Sequence, residues 1–181
     1  MTEKKIVVNG LEIYTRIKGN AATTILFIHG SSLSSHIWDT QFSDPQLFQQ
    51  YRLIAIDLPG HGQSSWAADA PLQYSFKELA GIITSIVHIL ELKTYILAGL
   101  SIGTNLTGEM TAPLPGCKGF FLTGPSLMAP HISLDKIVLP FEHGAVLATP
   151  DPPDAALENY CKGLVFNHDT TLLTQLKNGY R

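Results

Sequence analysis

Three short apolar runs, Thr24 to Ile28, Leu53 to Ile56 and Tyr95 to Ala98, constrain this chain more than any other feature. A strand with one wet face alternates apolar and polar residues. Unbroken apolar runs of this length between turn signals belong to strands covered on both faces, which is the situation of a parallel sheet. Helical stretches separate the runs. The clearest is Ser75 to Leu92, where Phe76, Leu79, Ala80, Ile83, Val87 and Leu90 recur at helical spacing behind Ser75 as N-cap. Strands alternating with helices imply right-handed crossovers and an α/β sandwich. Ahead of the first run, Val7 to Tyr14 reads as two short strands around an Asn9-Gly10 turn, an opening hairpin. Phe120 to Leu122 reads as one more strand.

Composition narrows the function classes. The chain has 181 residues, 12 Lys+Arg against 15 Asp+Glu and 45% hydrophobic residues, as a globular domain does. A net charge of -3 without a basic stripe excludes nucleic acid and anionic membrane surfaces as expected partners. The apolar stretch behind the charged N-terminus, Ile6 to Val8, is far shorter than a secretory core, and no segment approaches a membrane span. Cys117 and Cys161 cannot build a disulfide framework or a zinc site. The expectation is a cytoplasmic enzyme or binding domain with no metal and no cofactor.

After Thr123 the texture changes. Pro125, Pro130, Pro140, Pro150, Pro152 and Pro153 divide weakly amphipathic pieces, which reads as a helical cap over 128–181 on a core of residues 1–127. Asp154 to Gly163 reads as a helix introduced by two prolines. Asp169 to Lys177 reads as another, with Asp169 as N-cap and Gly179 past its end.

Gly99-Leu100-Ser101-Ile102-Gly103 matches G-x-S-x-G, a pattern that is weak alone but gains weight from its place. The strand Tyr95 to Ala98 runs directly into it and a helix-compatible stretch follows, as a nucleophile elbow requires. Glycines at both flanks let strand and helix approach around a strained serine. The hydroxyl of Ser101 is then exposed at the carboxyl end of a central strand, and the N–H of Ile102 faces the same space as one oxyanion donor. His29-Gly30-Ser31 follows the first buried run and emerges at the same sheet edge, so the N–H of Ser31 is the second candidate donor, with ordinary loop roles for Ser31 and Ser32 as the alternative. His29 and Gly30 are placed beside the substrate pocket. Trp38 and Phe42 either line an acyl pocket or belong to the core. Asp57 and His61, in the Asp57 to Ser64 segment behind the second run, read as loop-shaping hydrogen-bonders rather than catalysts.

These three segments, His29-Gly30-Ser31, Asp57 to Ser64 and Gly99 to Gly103, in this order, resemble the α/β-hydrolase family over Leu11 to about Leu127. The resemblance implies a mostly parallel sheet with flanking helices, Ser101 as nucleophile, Ser31 and Ile102 as oxyanion donors, and a small-molecule substrate. A serine at the elbow sets the chain apart from the branches that carry aspartate there, the dehalogenases and epoxide hydrolases. Phe121-Leu122-Thr123-Gly124-Pro125 and the short cap are most similar to small-ester hydrolases and acyl-homoserine lactone hydrolases.

The family's catalytic acid and histidine follow later strands, in the order Ser, Asp or Glu, His. Behind Leu122 no apolar run leads to an exposed acid, and Thr123-Gly124-Pro125-Ser126 holds no carboxylate. His131, His143 and His168 all lie in the cap-like stretch. His168 and Asp169 are adjacent and do not both face one serine. The expectation is therefore a hydrolase core cut before its last strands, with the acid and histidine supplied by the remainder of the protein or by a complementing segment. The alternative is a non-catalytic member of the fold that binds a small apolar ligand.

Overall fold

Asn9 and Gly10 both take positive φ, 51° and 80°, the conformation a two-residue hairpin turn demands. They join β1 (Thr2–Val8) to β2 (Leu11–Lys18), with Val8 opposite Leu11. The computed structural model describes residues 1–68, 73–110, 114–124, 146, 152–164 and 170–180. The three apolar runs become β3 (Thr24–Ile28), β4 (Arg52–Ile56) and β5 (Tyr95–Leu100), and the fourth becomes β6 (Cys117–Thr123). The six strands form one sheet in the order β1-β2-β4-β3-β5-β6. The β4–β3, β3–β5 and β5–β6 pairs are parallel, and the hairpin is attached antiparallel through β2 and β4.

Burial on both faces explains the unbroken apolar pattern. Leu26, Ile28, Ile54, Ile56 and Leu97 point to one side, against Leu79, Ile83 and Ile86 of α3 (Phe76–Ile89) and Leu106 of α4 (Ile102–Glu109). Their neighbours Phe27, Leu53, Ala55 and Ala98 point to the other, against Trp38 and Phe42. Those two residues lie on a 3-10 turn (Ser35–Trp38) and on α1 (Asp39–Ser43), which with α2 (Pro45–Gln50) forms the β3-to-β4 crossover. Ser75 caps α3 by accepting the Glu78 N–H at 3.3 Å. Leu79, Ala80, Ile83 and Val87 are buried as their spacing predicts, and Ile82 and Ile86 widen the face.

Beyond β6 the described residues form α5 (Asp154–Leu164) and α6 (Thr170–Tyr180). Leu157, Tyr160 and Cys161 of α5 bury Leu173 and Leu176 of α6 together with Val146. Leu33 and Ile37, from the segment behind β3, pack against this cluster. Two expectations meet the structure here. Gly179 lies inside α6 rather than past its end; a glycine weakens a helix by only about 1 kcal/mol, which does not by itself stop one. Asp169, His168 and the boundary between 127 and 128 lie outside the described residues. Among the described residues no helix is long and apolar enough to cross a membrane.

Among the described residues β6 pairs with β5 only, and Phe120, Phe121 and Leu122 are 53%, 62% and 50% exposed. Consecutive exposure on an edge strand leaves apolar surface on both faces beside unpaired backbone, the arrangement that invites edge-to-edge association. Phe121→Lys is expected to raise the monomeric fraction of this chain severalfold in size-exclusion light scattering. An unchanged or lower monomeric fraction would show that the β6 edge does not drive association.

Candidate active site

Ser101 is the residue between the last residue of β5 and the first of α4, and its backbone has φ 53° and ψ −115°. Left-handed φ is costly for a residue with a Cβ and persists only where the surroundings impose it. Here the main chain imposes it. The Ser101 N–H donates to the Thr123 carbonyl at 2.9 Å, and the Ser101 carbonyl accepts from the N–H groups of Thr104 and Asn105 at 2.9 and 3.3 Å. The flanking glycines are required by contact distance. A Cβ on Gly103 would run into the Ile28 carbonyl and stand 2.8 Å from that of His29, and one on Gly99 would stand 2.6 Å from the Gly103 carbonyl. The helix therefore packs on the sheet backbone to backbone.

The β3 loop arrives at the same place. A Cβ on Gly30 would lie 3.2 Å from Ser101 Cβ and 3.3 Å from Leu33 Cδ1, so this backbone passes directly beside the serine. Ser32 has φ 57°, and the Leu33 N–H closes a turn onto the Gly30 carbonyl at 3.3 Å. Among the described residues no hydrogen bond takes up the N–H of Ser31 or of Ile102. Ile102 opens α4, where the first N–H groups have no helical partner.

His29 corrects its expected place. It has no exposed surface. Its Nδ1 meets the Gly30 carbonyl at 2.7 Å and its Nε2 accepts the Leu58 N–H at 2.9 Å, so it binds the β3 loop to the β4 loop and cannot touch a substrate. Burial, reinforced by the His61 charge, lowers its pKa to about 3, and the imidazole is neutral. Trp38 is likewise core: it is 6% exposed, with its ring 4.9 Å from that of Phe27. Phe42, 2% exposed, lies in the same cluster.

Asp57 and His61 shape the loop. The Asp57 carboxylate accepts the Ser35 N–H at 2.6 Å and the Gln63 N–H at 2.9 Å. His61 Nδ1 faces the Pro59 carbonyl at 3.0 Å, and burial lowers its pKa. Ser64 and Ser65 hydroxyls accept the N–H groups of Tyr14 and Glu12, tying the same loop to the opening hairpin.

Two residues escaped the sequence reading. Arg16, 4% exposed, donates to the Ser35 carbonyl at 3.1 Å, pairs with Asp39 at 2.6 Å and lies over the Phe42 ring. Thr104 is buried behind the elbow and bonds to Gly99 and Thr123. A strand position adjoining an Asn-Gly hairpin gives no hint that an arginine turns inward, and a threonine in a helix carries no periodic signal. His131, His143 and His168 lie outside the described residues. His36 contacts Asp39, and no hydrogen bond joins Ser101 to any described histidine.

Comparison with known proteins matches residues 23–144 to the family described as alpha/beta hydrolase fold. Over 140 residues the chain is 34% identical to ABHD14B of Pongo abelii, whose name assigns it provisionally to protein-lysine deacylation; the match covers 75% of this chain and 64% of that protein. Over 122 residues it is 28% identical to the esterase Rv0045c of Mycobacterium tuberculosis, covering 64% of this chain and 38% of the relative. In fold it is similar to the N-acyl homoserine lactonase AidH, solved with N-butanoyl homoserine, at a TM-score of 0.78 and 24% identity, covering 99% of this chain and 65% of that one. The chain thus spans less than two thirds of the length of each of these relatives.

Proposed function

The chain belongs to the alpha/beta hydrolase fold family, and on that premise we propose that the protein is a serine hydrolase of a small ester or lactone, with Ser101 as its nucleophile. The observation that carries the reading is the strained backbone of Ser101 (φ 53°, ψ −115°) at the end of a parallel strand paired on both sides, with Gly30 passing beside its Cβ. Strain of this kind is held where function uses it. In the proposed reaction Ser101 Oγ attacks the acyl carbon and the hydroxyl proton passes to a base. The carbonyl π electrons move onto oxygen, where the N–H groups of Ser31 and Ile102 receive the negative charge. Collapse of the tetrahedral species breaks the C–O bond to the leaving oxygen, which takes the proton. Water then hydrolyses the acyl-serine. A lactone differs only in that the leaving oxygen stays attached to the acyl group.

None of the described histidines hydrogen-bonds Ser101, so the base and its acid come from residues beyond the described ones. The names of the relatives, an esterase and a lactonase, agree with an ester or lactone substrate. A fluorophosphonate probe is expected to label the full-length protein at one site, and Ser101→Ala to abolish the label. Undiminished labelling of the alanine variant would refute the assignment. Parallel assays on p-nitrophenyl butyrate and N-hexanoyl homoserine lactone separate ester from lactone.

A further inference from the structure

Among the described residues, one buried hydroxyl spans the elbow from behind. Thr104 is 6% exposed, on the first turn of α4. Its Oγ1 lies 2.8 Å from the Gly99 carbonyl oxygen, 3.0 Å from the Thr123 carbonyl oxygen and 3.2 Å from the Thr123 N–H. A threonine inside a helix ordinarily bonds a carbonyl three or four residues back. Thr104 instead reaches back to Gly99, past the start of its own helix and over the strained residue. Its hydroxyl proton serves one carbonyl at a time while its lone pair accepts the Thr123 N–H. The Thr123 carbonyl also takes the Ser101 N–H at 2.9 Å, and the Ser101 carbonyl takes the Thr104 N–H at 2.9 Å. The last residue of β6 and Gly99, the first glycine of the elbow, are thus joined through one side chain, while Ser101 is held to Thr123 and Thr104 by backbone hydrogen bonds.

We propose that Thr104 is a positioning residue for Ser101: its hydroxyl locks the end of β5 to the end of β6 and so fixes where the serine oxygen stands. The inference rests on the reading of Ser101 as nucleophile. Valine at position 104 keeps the shape of the side chain and removes the hydroxyl, leaving the Thr123 N–H and the Gly99 carbonyl without that partner. A misplacement of the nucleophile by a fraction of an ångström to 1 Å lowers turnover by about 10- to 100-fold while leaving ground-state binding intact.

The test measures kcat and KM on p-nitrophenyl butyrate and the fluorophosphonate labelling rate in full-length wild type, T104V, T104S and S101A. T104V is expected to lose about 10- to 100-fold in kcat and in labelling rate with KM within about twofold, and T104S to stay within about threefold of wild type. Wild-type rates in T104V would overturn the proposal. So would a T104S variant as slow as T104V, which would trace the effect to the methyl group. Should T104V lose its native circular dichroism, T104S decides: wild-type turnover supports the hydroxyl, and a tenfold loss in a folded T104S overturns it. The S101A arm fails separately, because undiminished labelling there refutes the nucleophile and leaves the Thr104 comparison without a reaction to position.

Discussion

Ser101→Gly is expected to lower kcat for ester hydrolysis by up to about 10⁶ and at the same time to raise the melting temperature by a few degrees. The two effects come from the same atoms. Removing the hydroxyl removes the nucleophile, so only binding and the backbone donors remain. Removing Cβ relieves a residue held at φ 53° and ψ −115°, where glycine is at ease and serine is not. Strain there is worth about 1–3 kcal/mol. Part is given back because glycine is freer in the unfolded chain, by roughly 0.5–1 kcal/mol, which leaves a net gain on the order of 1 kcal/mol. Differential scanning calorimetry of both proteins at one pH checks it. A glycine variant that melts at or below wild type would show that the surroundings do not strain Ser101.

The second large effect is on acid stability and comes from His29. Burial, with the His61 charge added, holds its folded pKa at about 3, against 6.5 in the unfolded chain, while the Gly30 carbonyl opposes them weakly. A lowered histidine pKa means that the unfolded chain binds a proton that the folded one does not. The stability His29 leaves intact above pH 6.5 is therefore lost progressively as pH falls from about 6.5 to about 3. The upper limit of that loss is about 5 kcal/mol. The structural reason is the Leu58 N–H: a protonated Nε2 would present a donor to a donor at 2.9 Å. Urea unfolding at intervals between pH 8 and pH 4 should show the midpoint falling. His29→Gln, whose amide can donate to the Gly30 carbonyl and accept from Leu58 without titrating, should flatten much of the slope. A variant with the wild-type slope would assign the acid sensitivity elsewhere, His61 being next in line because its pKa is lowered too.

What the sequence revealed was whatever depends on neighbours along the chain. The apolar runs, the Ser75 cap, the Asn9-Gly10 turn and the elbow glycines each act within a few residues, and each takes its expected place. What it concealed depends on partners far along the chain. Arg16 turns inward because Ser35 and Asp39 wait across the core. His29 is taken up by the loops, its Nε2 accepting the Leu58 N–H 29 residues on. Trp38 could not be divided between pocket and core from spacing alone, since both uses bury an aromatic ring; its contact with Phe27 decided it. Thr104 is legible only after β6 is known to end beside β5.

The strand order also sets a schedule for the nascent chain. β3 lies at the centre of the sheet with β4 on one side and β5 on the other, and those partners begin at Arg52 and Tyr95. Translation runs at roughly 5–20 residues per second, so Thr24 to Ile28 waits several seconds after its own synthesis before its second neighbour exists. Among the described strands only the β1–β2 hairpin can close from adjacent sequence, within microseconds. Until β5 is made, the strand leading to Gly30 keeps an open edge, so the segment in greatest need of shelter by chaperones is the one that ends near the centre of the sheet.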